Sequence, residues 1–239
     1  MKLIADTHCH TCASDHAFST VLENATFASQ IGLKYLAITD HAPTLPDAPH
    51  PWHFNCLNMI PDELFGVKIL TGIEANILDV NGNIDIDEST LKNMKWVVAS
   101  LHEPVMPPTD QQNHTNAIIN TIKNNPIVDT IGHLNSFYFP CDLQKIVCFL
   151  KEYERPIEIN ENSLKKPANM KNAVELVKFA KKYDAKVIIN SDAHFALNVG
   201  QANNSFALLN QLEFPEKLII NADLASFEDY LKLRLERLG

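Results

Sequence analysis

The stretch LIADTHCHTCASDHAF, residues 3–18, joins a short apolar run to three of the ten histidines in this chain of 239 residues. The run LIA predicts a strand, and His8, His10 and His16 follow it within a few positions. In an extended segment residues two apart share a face, so the His8 and His10 rings point one way and Cys9 points the other way. The stretch therefore predicts a strand that ends in paired imidazoles.

The composition is acidic, with a formal net charge of -9 at pH 7. Proteins that bind duplex nucleic acid usually present a basic face, so this charge argues against such a partner. The five cysteines lack the spacing of a disulfide framework, which favours a reducing compartment. MKLIAD is too poor in apolar residues for a signal peptide, and no run approaches the roughly 18 apolar residues that span a bilayer. We expect a soluble, cytoplasmic protein without a membrane partner.

Apolar, β-branched runs alternate with amphipathic helix patterns along the chain. This alternation predicts βα units with a parallel sheet covered on both faces. Seven or eight units favour a (β/α) barrel in a single domain over residues 1–239; a doubly wound open sheet is the alternative, but no glycine-rich turn follows the first strand. The predicted strands are 2–6, 34–39, 67–73, 95–101, 127–132, 156–160 and 186–190. The predicted helices are 20–31, 110–124, 142–153 and 170–183, and a further apolar run at 217–221 precedes a helix pattern at 224–238.

Two segments interrupt the alternation. Residues 42–62 contain five prolines and cannot form one regular helix. Residues 79–87 contain an Asn-Gly pair, which is a hairpin signal, so we expect a small β excursion there.

Imidazoles and carboxylates follow the ends of six predicted strands. A single histidine at a strand end is usually a hydrogen-bonded loop residue, but here the pattern repeats, and the carboxyl ends of barrel strands open on one face. Neutral imidazoles with carboxylates indicate divalent metal of the Zn, Mn or Fe kind. One catalytic zinc uses three or four protein donors, so we expect two or three ions, with Glu74 as a bridge. The nine candidates are His8, His10, His16, His41, Glu74, His102, His133, Asp192 and His194.

Other polar residues carry weaker signals. Cys9 and Cys12 form a C-x-x-C pair that could be redox-active, but it does not open a helix, so incidental thiols are favoured. His114 lies in a polar helix start, where we expect it to be solvated.

Four residues flank the candidate ligands. We expect Asp40, beside His41, to orient an imidazole, and Glu103 either to do the same or to be exposed. His50 and His53 either line a loop over the site or pack with Trp52, and the sequence leaves both interpretations open.

The motifs DTHCHT, ASDHAFS, AITDH, DAPHPWHF, GIEANI, HEPV and SDAH resemble, in order and approximate spacing, those of the PHP family, named for polymerase and histidinol phosphatase. More narrowly, they are similar to its YcdX-type stand-alone phosphatases. The H-x-H start is shared with amidohydrolases, whereas the full ordered series, from Asp6 to the C-terminal helix, is specific. The resemblance implies a distorted (β/α)7, TIM-like barrel with three divalent ions, zinc first and manganese or iron as alternatives.

The resemblance also implies a ligand set for each ion, carried over motif by motif. Around His133, IGHLNSFYF departs from the usual His-Pro pattern, and residues 160–169 diverge, so no substrate contact is carried over there. The implied sets are His8, His10, Glu74 and Asp192 for the first ion, Glu74, His102 and His133 for the second, and His16, His41 and His194 for the third.

The expected reaction is hydrolysis of a phosphate monoester of a small molecule. Hydroxide held between two ions would attack phosphorus in line, since a bound metal lowers the pKa of water from 15.7 towards about 7. The candidate catalytic residues are Asp192, Glu74 and His194, and Asp192 or a nearby imidazole would relay the proton. The sequence leaves a homo-oligomer open.

Three other functions compete with this hypothesis. An amidohydrolase-type C–N or lactone hydrolase would use a similar metal barrel, but it usually places its bridging residue after strand four, and Glu74 follows strand three. A nuclease would need a basic groove, which the net charge disfavours. A metal-stabilised scaffold or sensor that has lost its chemistry is the third, but such decay would be expected to remove some of the nine candidate residues, and all of them are present.

Overall fold

Parallel strands separated by helices form the protein, which a computed structural model describes over residues 2–239. The strands are β1 (Ala5–Asp6), β2 (Tyr35–Ile38), β3 (Glu63–Leu64), β4 (Val67–Asn76), β5 (Trp96–Ser100), β6 (Thr130–Ile131), β7 (Ile157–Asn160) and β8 (Val187–Asn190). The α-helices are α1 (Val21–Ile31), α2 (Trp52–Asn55), α3 (Glu88–Leu91), α4 (Gln111–Asn124), α5 (Leu143–Glu152), α6 (Glu161–Leu164), α7 (Met170–Lys182), α8 (Asn203–Gln211) and α9 (Leu224–Leu238). Short 3-10 turns lie at Leu57–Met59, Pro167–Asn169, Ala196–Asn198, Glu216–Leu218 and Ile220–Ala222.

The main sheet has the strand order β1-β2-β4-β5-β6, all parallel, with β3 paired antiparallel to β4. A second parallel pair joins β7 to β8. The longest strand, β4, is buried along its length apart from Lys68, because helices cover one side of the sheet and its other side faces the interior. The carboxyl ends of these strands therefore open towards one face.

The sheet curls until β8 lies beside β1. Asn221 closes this seam at the amino end: its Nδ2 donates to the carbonyls of Ala5 and Ile189, and its Oδ1 accepts from the Ile189 amide. At the carboxyl end the Asp192 amide donates to the His8 carbonyl at 2.9 Å. The prediction of a distorted, TIM-like α/β barrel is confirmed, since the parallel sheet curls into part of a barrel.

The predicted strands and helices agree with the observed ones to within a few residues, but the short elements β3, α2, α3 and α6 were not predicted. The apolar run at 217–221 forms 3-10 turns rather than a strand, and only Ile219 forms an isolated bridge, to Val187. Helix α8 was not predicted. The expected excursion at 79–87 is present as an antiparallel bridge between Ile77 and Ile84.

His114 is buried in α4, so the prediction that it is solvated is wrong. Its Nε2 accepts from the Thr109 amide and its Nδ1 donates to the Pro140 carbonyl, both at 2.8 Å. The ring also packs edge-on against Phe139. His114 therefore ties the start of α4 to the loop at 138–142, which forms part of the wall of the cavity described below.

The amino end of the barrel is held by a buried carboxylate. Asp129, just before β6, accepts from Arg234 Nε and Arg237 Nη2 of α9, both at 2.9 Å. The third arginine, Arg155, donates to the carbonyls of Val128, Tyr153 and Pro126. All three arginines thus stabilise the end of the barrel opposite the carboxyl ends of the strands.

None of the helices described between residues 2 and 239 combines the length and apolar character needed to cross a membrane.

Candidate metal centre

Glu74 lies at the centre of the cluster at the carboxyl ends of the strands. It belongs to β4, and its side chain is buried. Its Oε1 lies 3.3 Å from His8 Nε2, 3.4 Å from His102 Nε2 and 3.2 Å from His133 Nε2. Ser100 Oγ donates to the same oxygen at 2.6 Å. One carboxylate oxygen therefore faces imidazoles that follow three different strands.

The second oxygen of Glu74 faces other rings. Glu74 Oε2 lies 3.1 Å from His41 Nε2 and 3.6 Å from His10 Nε2. A parallel bridge between His41 and Glu74 holds the two backbones in register. Because its two oxygens face separate sets of imidazoles, the carboxylate has the arrangement that a bridge between two cations requires.

Asp192 approaches His10 from a separate strand end. Its Oδ1 lies 3.2 Å from His10 Nε2, 3.6 Å from His194 Nδ1 and 3.8 Å from His8 Nε2. Asp192 and His133 both have left-handed backbones, with φ of 52° and 31°. Residues other than glycine rarely adopt this region, and such strain persists where the surrounding structure holds it, often at functional sites.

Asp47 joins two rings on the open side of the cluster. Its Oδ2 accepts from Nδ1 of His16 and from Nδ1 of His41, each at 2.7 Å. The His16 ring stacks on His194 with centroids 4.4 Å apart. Since Asp47 occupies Nδ1 of both rings, a metal bound by either ring would use its Nε2 atom.

The donor set fits divalent metal. His8 Nε2, both ring nitrogens of His10 and His194 Nε2 are buried without a hydrogen-bond partner. Buried polar atoms are costly when unpaired, and imidazole nitrogens beside carboxylates are the donors that zinc, manganese and iron use. Four trios have donor atoms within 4.8 Å of one another: His10, His41 and His194; His8, His10 and Glu74; His16, His41 and Asp47; and His41, Glu74 and His102.

The electrostatics of the cluster favour ionised carboxylates. Burial raises the pKa of Glu74, but the neighbouring His8 and His102 rings outweigh burial and hold this pKa well below its ordinary value. Burial, with the nearby His41 and His194 rings, lowers the pKa of His10 to about 3, so His10 is neutral at pH 7 and able to donate a lone pair. The pKa of His41 rises to about 9 despite burial, because Glu74 and Asp47 face it, so a cation binding there would displace a proton.

Glu158 was missed in the sequence analysis, yet it holds two of the candidate ligands. It lies in β7, fully buried. Its Oε1 accepts from His8 Nδ1 at 2.7 Å and its Oε2 accepts from the His133 amide at 2.6 Å. Asn190 and Asn160 each donate one further bond to it. A glutamate inside the apolar run PIEIN was the signal that could have identified it, because a buried strand rarely contains an unpaired charge.

Asp47 and Asn76 were also missed. Asn76 Oδ1 accepts from His102 Nδ1 at 2.6 Å and so orients that ring. Asp47 lies in the proline-rich segment 42–62, and nothing in the local pattern distinguished it from other loop carboxylates.

Asp40 lies beside an imidazole, as expected, but the ring is that of His53 and not that of the adjacent His41. Its carboxylate accepts from the Thr11 amide and hydroxyl and from Ser14 Oγ, and it thereby fixes the loop that carries His16. Asp47, not Asp40, accepts from His41, because its side chain reaches the Nδ1 side of that ring. The remaining contact of Asp40 is His53, whose Nε2 lies 3.3 Å from Asp40 Oδ2.

The other flanking residues lie around the cluster. His50 packs edge-on against Trp52, as one of the two interpretations proposed, whereas His53 lies against Asp40. Cys9 is buried with its thiol donating to the Ala37 carbonyl, and Cys12 is exposed.

A cavity of about 380 Å³ opens over the cluster. One wall consists of candidate ligands, and the others come from the loops at 101–104 and 136–139 and from residues 162–169. Glu103 is exposed on this wall, which agrees with one of the two roles expected for it. All nine predicted site residues lie at this end of the barrel, and His16, His41, Glu74, His102, His133, Asp192 and His194 line the cavity itself.

Comparison with known sequences found similarity over nearly the whole chain. A family model described as PHP domain matches residues 6–232. A protein of Acetivibrio thermocellus named probable phosphatase is 39% identical over 239 residues, which is 100% of this chain and 99% of that protein. A probable phosphatase of Photobacterium profundum is 41% identical over 236 residues, which is 98% of this chain and 96% of that protein.

Comparison with solved structures found the same fold. The histidinol phosphate phosphatase of Lactococcus lactis, complexed with zinc, L-histidinol and phosphate, has a TM-score of 0.64 at 18% identity and covers 90% of this chain and 95% of its own. The putative histidinol phosphatase of Listeria monocytogenes has a TM-score of 0.60 at 16% identity and covers 84% of this chain and 99% of its own. At these identities the likeness shows the fold alone.

Proposed function

This chain belongs to the PHP domain family, and on that premise we propose that it is a metal-dependent phosphatase that hydrolyses phosphate monoesters of small molecules. The observation that carries the proposal is the Glu74 carboxylate, whose two oxygens face separate sets of imidazoles that include buried, unpartnered nitrogens. The relatives named probable phosphatase, and the Lactococcus protein complexed with zinc and phosphate, support the same activity.

The proposed site holds three ions, with zinc as the first choice because the Lactococcus structure contains it. When bound, the ions would supply a hydroxide nucleophile at neutral pH and neutralise charge on the phosphoryl oxygens. The ligand sets are those that the family motifs imply: His8, His10, Glu74 and Asp192; Glu74, His102 and His133; and His16, His41 and His194.

The remaining roles, bridging the ions and moving a proton, belong to side chains of the protein. Glu74 is nearly inaccessible and serves as the bridge. Asp192, by contrast, lines the cavity, and its Oδ1 lies 3.6 Å from His194 Nδ1. The neighbouring imidazoles outweigh burial and lower the pKa of Asp192, so its carboxylate is ionised and available to accept a hydrogen bond from water on the cavity side. Asp192 and His194 are therefore the proposed pair that moves the proton.

The test is release of phosphate from phenyl phosphate by protein loaded with zinc or manganese. Glu74→Ala and His10→Ala should abolish release and lower the metal content. Glu236→Ala and His50→Ala, which change an exposed glutamate and an exposed histidine outside the cavity, should retain both. Full phosphate release by metal-free Glu74→Ala protein would refute the proposal. Hydrolysis of amides or lactones without phosphate release would favour the amidohydrolase alternative instead.

A further inference from the structure

Two polar side chains on the wall formed by residues 162–169 have no partner among residues 2–239. Asn162 lies in α6, and Lys166 begins the 3-10 turn Pro167–Asn169, so the two are four positions apart on one wall. Between residues 2 and 239, no carboxylate lies within 4.0 Å of Lys166 Nζ. The side-chain amide of Asn162 makes no hydrogen bond to these residues either. Both groups are therefore available to a ligand in the cavity.

The neighbouring polar residues on this wall are already used. Asn169 Oδ1 accepts from the Phe137 amide, and Asn169 Nδ2 donates to Ser163 Oγ at 2.8 Å and to the Ser163 carbonyl. These bonds hold the segment that carries Lys166 against the loop at 136–139. The wall is therefore built by internal hydrogen bonds. Within residues 162–169, Asn162 and Lys166 are the lining members left over, and the Ser136 and Tyr138 hydroxyls on the adjoining loop are also without a bond in the part of the chain that the structure describes.

Lys166 is also the one lysine or arginine among the cavity-lining residues of the part of the chain that the structure describes. The three arginines stabilise the opposite end of the barrel. Among the lining carboxylates, Asp47, Glu74 and Asp192 face imidazoles, and Glu103 is not paired with Lys166. Lys166 is exposed, so its ammonium lies at the solvent-accessible edge of the cavity, without a carboxylate partner in an otherwise acidic protein.

The volume of the cavity is larger than a phosphate group alone would fill. Its volume of about 380 Å³ is in the range of sites that hold a small organic ligand. With the phosphate at the metal cluster, the organic part of the ester would occupy the rest, between the apolar side chains of Leu45, Leu101 and Phe139 and the wall that carries Lys166.

We propose that Lys166, assisted by the Asn162 amide, binds a second anionic group on the organic part of the substrate. The preferred substrates are then phosphate monoesters that carry a further oxyanion, such as a carboxylate or another phosphate. This inference rests on the proposed phosphatase function and specifies its substrate class.

The test compares phenyl phosphate with its 3-carboxy and 4-carboxy derivatives, which differ only in the second anionic group. The quantity measured is the kcat/KM of the better carboxylated ester divided by that of phenyl phosphate, with binding of each ester measured by calorimetry. Lys166→Met keeps the apolar stem and should lower this ratio about tenfold, which is typical of losing a hydrogen bond to a charged group. Lys165→Met changes the neighbouring lysine, which is equally exposed but does not line the cavity, and should leave the ratio unchanged.

Each outcome decides the inference. An unchanged ratio in Lys166→Met overturns it. An equal loss for all three esters also overturns it, because Lys166 would then hold the transferred phosphoryl group. If metal-loaded wild-type protein releases no phosphate yet binds the carboxylated ester more tightly, through Lys166, then the proposed function fails and the second anion site stands.

Discussion

At the scale of single residues, the candidate ligands are held by partners that are not themselves ligands. Glu158, Asp47 and Asn76 each accept from the Nδ1 of a cluster histidine, at 2.6 to 2.7 Å. Such a partner fixes which ring nitrogen carries the proton and leaves the other nitrogen to bind a metal. Glu158 also holds the His133 amide, where the left-handed backbone needs support.

We expect Glu158→Gln to weaken metal binding about 10- to 100-fold. The glutamine side chain has one acceptor oxygen, so its NH₂ group would face either His8 Nδ1 or the His133 amide, neither of which could then donate to it. The measurement is competition for zinc with a chelator of known affinity. Glu161→Gln is the matched control, since Glu161 is equally buried and also accepts four hydrogen bonds, but from Asn204 and Ser205. It should lower stability and leave metal affinity intact. Wild-type affinity in Glu158→Gln would show that this carboxylate does not position the ligands.

At the scale of elements, local chemistry sets where helices begin and end. Thr20 caps α1: its hydroxyl accepts from the Glu23 amide, and the Glu23 carboxylate accepts from the Thr20 amide. Gly32, with φ of 82°, ends the helix. Helix α4 is also fixed by contacts of its His114 ring, which accepts from the Thr109 amide and donates to the Pro140 carbonyl.

His114→Phe should lower the free energy of unfolding by about 1–3 kcal/mol, because a ring of similar shape leaves the Thr109 amide and the Pro140 carbonyl without partners. In a protein of this size that corresponds to about 2–4 °C in Tm for each kcal/mol. Thermal denaturation followed by circular dichroism measures it. Gln112→Ala, an exposed change in the same helix, should shift Tm little. A Tm for His114→Phe equal to that of Gln112→Ala would contradict the assigned role.

At the scale of the whole molecule, the candidate site and the buried ion pairs that stabilise the fold lie at opposite ends of the barrel. The Asp129 carboxylate with its arginines stabilises the amino ends of the strands, and the imidazoles and carboxylates of the cluster lie at the carboxyl ends. This separation is typical of barrel enzymes, in which one face carries stability and the other carries chemistry.

Asp129→Asn should destabilise the protein by about 3–5 kcal/mol, since it leaves the buried Arg234 without a full counter-charge. Urea denaturation gives this value, and zinc affinity should not change. Asp229→Asn removes an exposed pair with Lys232 and should alter stability little, because solvent screens such a pair. A large loss of zinc affinity in Asp129→Asn would mean that the two ends of the barrel are coupled.

Metal removal should lower Tm, because a ligand that binds only the folded protein stabilises it by mass action. Zinc at about 100 times its Kd would contribute about 2.7 kcal/mol. Differential scanning calorimetry with and without chelator measures the change. Glu74→Ala should have a Tm that responds far less to zinc, and an equal response in both proteins would argue against the Glu74-centred site.

Short-range patterns in the sequence alone determined the alternation of strands and helices and identified the imidazoles and carboxylates that follow strand ends. These features depend on neighbours along the chain, as at Thr20 and Gly32. Tertiary structure alone decided the burial of His114, the choice of Asp47 over Asp40 as the partner of His41, and the role of Glu158, which lies 150 positions from His8. The Nδ1 atoms of His8, His16 and His102 take their partners from segments 26 to 150 positions away, and the closing of the barrel determines which segments those are.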